Sequence, residues 1–318
     1  MRKSLISLAV LSAFAVSSTA FAAEEAAVAK KEESSFSVTT NIGFVSDYYA
    51  RGVSQSWHKP AVQGGFDVAH SSGFYAGVWG SNITPNTYPD ANAEIDAYAG
   101  YNGSVPGVEG LGYTVGAIGY FYPGGSWKKY NYLGSPNQTP QGGRWDTYEA
   151  NAGLSYKWLS AKGSVTMGDW FGAEQKTGWT SSTKGSTYLE LNAAIPTPLA
   201  GLTLIAHVGH LNVAGKLNTA FTSPCTANCA ASTPVNTNYP STSPSMAINP
   251  DYTDWKVGVS KAFKIANADG WNAGVYYVGN DNDSYWGNQG YGGTSFNGSS
   301  ETKNLNDGRV VVTLGRSF

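Results

Sequence analysis

The stretch FSVTTNIGF (36–44) decides the fold, because its apolar residues recur at every second position. Phe36, Val38, Thr40, Ile42 and Phe44 fall on one side, and Ser37, Thr39, Asn41 and Gly43 on the other. A period of two is that of a β-strand with one apolar face. The first strand is read as 36–47, and the same alternation returns at 61–70, 74–83, 93–101, 112–122, 147–156, 159–170, 186–194, 202–210, 253–263, 271–280 and 309–318. The chain therefore predicts twelve strands. In the third, Phe74, Ala76 and Val78 compete with Tyr75, Gly77 and Trp79 for the apolar side, and in the ninth Ile205 is out of phase.

Connector lengths alternate. HSSG (70–73), NGSVPGVEGLG (102–112), KWL (157–159), PTPLAG (196–201) and KIANADG (264–270) are short or glycine-rich. Between them lie long segments at 48–60, 84–92, 123–146, 171–185, 211–252 and 281–308, rich in Gly, Pro, Asn, Ser and aromatics. Short turns on one side and long loops on the other are the pattern of an up-and-down membrane barrel, with turns in the periplasm and loops outside. The ends of the apolar rows tell which way they face. Phe36 and Phe44, Tyr113 and Phe121, Tyr148 and Tyr156, and Trp255 and Phe263 are each eight residues apart on one strand face. Eight residues at about 3.3 Å each and a tilt of about 40° climb roughly 20 Å, near the height of an outer-membrane apolar band. These pairs read as two aromatic girdles. The fold class expected is all-β: a transmembrane antiparallel up-and-down β-barrel of about 12 strands.

Composition agrees. Only 13% of the 318 residues are charged, 39 are Gly, 20 are Tyr and 10 are Trp. With a net charge of −2 and no basic stripe, the footprint of a nucleic-acid-binding protein is missing. Mean hydropathy is −0.26, and no apolar run is long enough for a transmembrane helix. The N-terminus reads Met-Arg-Lys, then LISLAVLSAFAV (5–16), then Ala20-Phe21-Ala22, the signature of a cleaved secretory signal. The domain reading is thus signal peptide 1–22, periplasmic lead-in 23–35 and barrel 36–318. Cleavage removes Arg2 and Lys3 and no acid, leaving 18 basic against 22 acidic residues. Export also permits a disulfide, and Cys225 and Cys229 in CTANC (225–229) are the candidate pair, a local loop staple.

The face opposite the apolar rows carries Asp67, Glu94, Asp96, Glu149, Lys162, Glu190, Asp254 and Lys256, the candidate lining of a water-filled lumen. Six acids against two lysines make that wall acidic and favour cations or neutral solutes. Asp47 and Arg51, in SDYYARG (46–52) at the top of strand one, complete the pore-lining candidates. Arg51 is expected to reach into the mouth and pair with lumen acids. The chain ends in RVVVTLGRSF (309–318), and the terminal Phe318 is the kind of residue the outer-membrane assembly machinery reads. No G-x-S-x-G or H-E-x-x-H occurs, and His207 and His210 face opposite sides of one strand, so neither catalysis nor a metal site is expected.

SDYYARGVSQ (46–55), KPAVQGGFDVAH (59–70) and GFYAGVWGSN (73–82) resemble the opening of the TorF family of putative porins, also called Gcw_chp. EIDAYAGY (94–101), YTVGAIGYFYPG (113–124) and TYEANAGLSYKW (147–158) fit the same pattern. The resemblance implies a Gram-negative outer-membrane porin of unspecified solute. The function expected is passive diffusion of small hydrophilic solutes with a mild cation preference and no cofactor. Its partners are outer-membrane lipid, the assembly machinery and the solutes, with no nucleic acid, and the oligomeric state stays open. The alternative is a barrel plugged by its own loops, with a structural, adhesive or solute-binding role, since aromatic stretches such as 120–134 and 284–293 suit either closure or stacking on a solute.

Overall fold

In the computed structural model, which describes residues 35–127, 143–177, 179–217, 249–287 and 302–318, twelve antiparallel strands close into one barrel. They are β1 (Phe36–Val45), β4 (Ala61–His70), β5 (Phe74–Asn82), β6 (Ala93–Ser104), β7 (Leu111–Phe121), β8 (Thr147–Tyr156), β9 (Leu159–Thr166), β10 (Thr187–Pro196), β11 (Leu202–Asn212), β12 (Tyr252–Ile265), β13 (Ala268–Asn280) and β14 (Arg309–Ser317). Two short strands, β2 (Tyr49–Ala50) and β3 (Val53–Ser54), pair only with each other. Every wall strand pairs with its sequence neighbours in the barrel, and β1 closes the wall against β14 from Asn41↔Ser317 to Val45↔Thr313. Thr40 and Phe318 extend that seam by exchanging both backbone hydrogen bonds, at 3.2 and 2.8 Å. Closure leaves no unpaired edge. The signal, the lead-in and the Cys225–Cys229 pair lie outside the described residues.

The outer face is apolar and exposed. Val38, Val62, Leu189 and Val310 are 56%, 57%, 63% and 64% accessible, against a typical buried position of a soluble core. A continuous belt of this kind is tolerated only against hydrocarbon. Aromatic residues mark its two margins as the spacing predicted. Phe121 packs edge-on against Tyr148 at 5.7 Å near the loop end, while Phe74–Tyr101 (5.1 Å) and Phe263–Trp271 (6.5 Å) lie near the turn end. The ambiguous third strand resolves with Phe74, Ala76 and Val78 outward and Trp79 buried inside. Ile205 faces inward with Thr203 and His207, which explains its phase.

Several turns are tighter than expected. β12 and β13 run on to leave only Ala266-Asn267 between them, at φ 48° and 64°. Positive φ at both residues makes a turn whose twist matches the strands it joins. β6 extends to Ser104, shortening the 102–112 connector, while β9 stops at Thr166, short of the expected 170. β1 ends at Val45; Ser46 still bonds Val312 on β14, and the residues after it fold inward.

Candidate functional site

The inward-turning segment 46–60 builds the centre of the lumen. Its hairpin turns on Arg51 and Gly52, both left-handed at φ 45° and 73°. Gly52 has no alternative there, since a Cβ would sit 2.5 Å from Asp254 Cβ and 2.6 Å from the Gly279 carbonyl. Asn280 Nδ2 on β13 donates to the Gly52 carbonyl at 2.9 Å and fixes the tip against that wall. From this seat the Arg51 side chain points toward β8 and β10. Its two terminal nitrogens donate to the two oxygens of Glu149 at 2.9 and 2.6 Å, and its guanidinium lies 4.1 Å over the Tyr188 ring. A two-point arginine–carboxylate bond under a stacked ring fixes direction as well as charge. Burial works against the charge on Arg51, but the Glu149 carboxylate together with Tyr120 and Tyr188 outweighs it and holds the guanidinium pKa above its ordinary value.

Asp47 is not on the wall but at the root of the hairpin. It accepts from Ser54 Oγ at 2.6 Å, Ser56 Oγ at 3.0 Å and His58 Nδ1 at 2.7 Å, and is itself buried. It therefore shapes the segment that carries Arg51.

Around the hairpin tip the predicted lumen residues form a belt. Glu94, Asp96, Glu149, Glu190 and Asp254 all lie within the first four residues of strands that descend from the long-loop side. All five point inward and are at most 6% exposed. Lys162 meets Glu190 at 2.8 Å, and His207 Nε2 meets Asp254 at 2.9 Å while Tyr188 Oη donates to the same carboxyl group at 2.9 Å. Tyr122 Oη donates to Glu94 at 2.9 Å. Lys256 faces inward beside the Tyr276 ring. Asp67 sits lower, on the mid-height of β4, with the Tyr98 hydroxyl donating to it at 2.5 Å. The belt thus holds Arg51, Lys162 and Lys256 among five carboxylates, with Glu94 Oε2 and Asp96 Oδ1 buried and without a hydrogen-bond partner among the described residues. Phe318 lies at the opposite end of the barrel, outward and exposed, with Arg316 4.4 Å over its ring.

Above the belt, aromatic residues of the loops pack into one cluster. Tyr88 stacks on Tyr122 at 4.4 Å and Trp127 on Trp145 at 4.0 Å, and Trp170, Trp179, Tyr285 and Trp286 join the same buried cluster. Below it, apart from Asp67, the inner wall presents mainly polar and small side chains, with a recess lined by Asn41, Gln63, Trp79, Asn272 and Thr313. Sequence reading named Arg51 and the carboxylates. It missed Tyr188, His58, His207 and Asn280, which hold the site together. Tyr188 and His207 were legible only as inward positions of their strands, and His58 and Asn280 carried no signal.

These features define a transmembrane β-barrel of twelve strands with a charged inner belt and an inserted hairpin. The model of the family described as bacterial protein of unknown function (Gcw_chp) matches residues 29–236, and the chain belongs to that family. No curated protein matches it in sequence. Among solved structures it is similar to the KdgM porin in complex with disordered oligogalacturonate, at 7% identity over 88% of this chain and 97% of that one, TM-score 0.39. The NanC porin aligns at 12% identity over 89% and 99% of the two chains, TM-score 0.43. OprD of Pseudomonas aeruginosa aligns at 10% over 91% and 68%, TM-score 0.34.

Proposed function

We propose that the protein is an outer-membrane channel of a Gram-negative bacterium, passing small hydrophilic solutes by diffusion through a lumen narrowed by the 46–60 segment. The observation that carries this reading is the Arg51–Glu149 pair set inside a belt of carboxylates. An inserted hairpin that crosses an otherwise polar lumen sets the size limit, and the fixed charges around it filter what passes. The wall holds more acid than base, so cations and neutral solutes are favoured over anions. The outward apolar belt supports the membrane location, the N-terminal A-x-A pattern supports export with cleavage after residue 22, and Phe318 is proposed as the assembly signal.

A second reading is favoured by the aromatic cluster. Trp57 is fully buried, and Trp127, Trp145, Trp170 and Trp179 are buried in the loop cluster above the belt, an arrangement that would seal the barrel into an envelope scaffold. Reconstitution into planar bilayers separates the two. Stepwise conductance with a cation-selective reversal potential under a KCl gradient, reduced in the Glu94→Gln/Asp96→Asn variant, supports the channel. A folded barrel that never conducts supports the sealed scaffold.

A further inference from the structure

His58 sits where the inserted hairpin meets the segment preceding the last strand. Its backbone is left-handed at φ 56°, as is that of Trp57 at φ 57°, an arrangement non-glycine residues adopt only when their surroundings hold them. The surroundings are specific. His58 Nδ1 lies 2.7 Å from Asp47 Oδ2, and Nε2 lies 2.6 Å from the Asn304 carbonyl oxygen. The side chain is 7% exposed. Neither partner can donate: one is a carboxylate and the other a backbone carbonyl, and a carbonyl cannot be flipped as an amide side chain can. A neutral imidazole has one N–H and so can satisfy only one of the two. Both short contacts together require the doubly protonated ring.

We propose that His58 is a proton-operated clamp, which as an imidazolium ties the 46–60 hairpin to residues 302–308 and as a neutral ring lets go of one side. The two segments are tied elsewhere as well: Tyr49 Oη donates to the Asp307 carbonyl at 3.1 Å. Ser54 N donates to the Leu305 carbonyl at 2.9 Å, and Lys303 Nζ donates to the Trp57 carbonyl at 3.2 Å, with its charge 5.8 Å over the Trp57 ring. The charged and titratable groups that face the ring come from both segments. Asp47 touches it from its own segment, where the Tyr49 ring lies 6.2 Å away and Lys59 points to solvent. From the facing segment come Asp307, bonded to Asn304 Nδ2 at 3.0 Å, and the opposing cation Lys303.

Loss of the proton leaves either the Asp47 carboxylate or the Asn304 carbonyl facing a bare ring nitrogen at hydrogen-bond distance, a repulsive contact. If Asn304 is released, the junction with residues 302–308 loses its His58 bond and rests on the Ser54, Lys303 and Tyr49 bonds. If Asp47 is released, the root of the hairpin loses one of three donors. The effect on the pore rests on the channel reading above: with the His58 bond gone the root of the hairpin is held less firmly, so conductance changes with pH. The clamp itself does not depend on that reading.

The test uses the full chain in detergent micelles or bilayers, wild type and His58→Gln, between about pH 5 and about pH 9, across the interval in which histidines change charge. Hydrogen exchange of the Ser54 amide and of 302–308, corrected for intrinsic rate, reads the junction directly. The expected result in the wild type is about tenfold less protection at the alkaline end, with little pH dependence in His58→Gln, since glutamine does not titrate. Equal protection at both ends in the wild type, or the same pH dependence in the variant, overturns the clamp. His58→Lys, which keeps a charge across the range, provides a second variant should the glutamine form fail to fold, and it too is expected to lose the pH dependence. Exchange that follows His58 without any conductance would uphold the clamp and defeat the channel reading instead.

Discussion

The two faces of the barrel wall follow opposite rules. On the outside, Val38, Val62, Leu189 and Val310 stand fully presented to their surroundings, each doing the same job, and any of them could be exchanged for another apolar residue. On the inside, Glu94, Asp96, Glu149, Glu190 and Asp254 are almost wholly covered, and most hold a named partner at a fixed distance. The lipid face needs only a class of residue, because hydrocarbon offers no directional contacts. The inner belt needs individuals, because a buried charge is stable only against a partner at the right place. The difference teaches where to look for function: in the layer where identity, position and charge are all specified.

The largest effect should come from breaking the inner pair on one side. Arg51→Ala leaves Glu149 buried with the Tyr120 hydroxyl, 3.4 Å away, still donating to it but without its two-point partner. Urea unfolding should register a loss of about 3 kcal/mol. Adding Glu149→Gln should return much of it, and a double variant no better than the single would show that the pair is not what stabilises the tip.

The lipid face is probed next. Val259→Arg, midway between the aromatic margins on β12, should cost about 2–4 kcal/mol in refolding from urea. Asn151→Arg, at the same depth on β8 but facing inward, should cost well under half as much. Equal penalties would mean that the inner wall is as dry as the outer.

A smaller change tests the seat of the hairpin. Gly52→Ala places a Cβ against Asp254 and Gly279 at a left-handed backbone, and about 1–3 kcal/mol should be lost. The smallest shift belongs to the membrane margin. Arg316, stacked over Phe318 and near Trp271, lies where a charge reaches the interface, so Arg316→Leu should alter stability by no more than about 1 kcal/mol.

The same contrast explains what the sequence disclosed. All twelve wall strands were legible, with ends off by up to four residues, since FSVTTNIGF (36–44) and its eleven counterparts carry the period of a strand with one apolar face. Arg51 was legible as a lone cation at the top of a strand whose lumen is acidic. The hairpin that carries it was not, because β2 and β3 are two residues each and their turn, Arg51-Gly52, has no flanking alternation. Nor was Asp47's role as a knot for Ser54, Ser56 and His58, or the tie from His58 to Asn304 across 246 positions. Such contacts join loops through space and leave no periodicity. The short turns misjudged at 264–270 had a similar cause: Ala266 at φ 48° is an uncommon residue for that position.

The central claim is that the inserted hairpin, held by Arg51 on Glu149, limits passage through the barrel. Single-channel conductance of wild type and Arg51→Ala, purified and reconstituted side by side in planar bilayers, tests it most directly. The account predicts discrete conductance steps in the wild type and larger, more cation-selective steps in Arg51→Ala, which removes both the obstruction and a positive charge. Identical conductance and selectivity in the two proteins would contradict it.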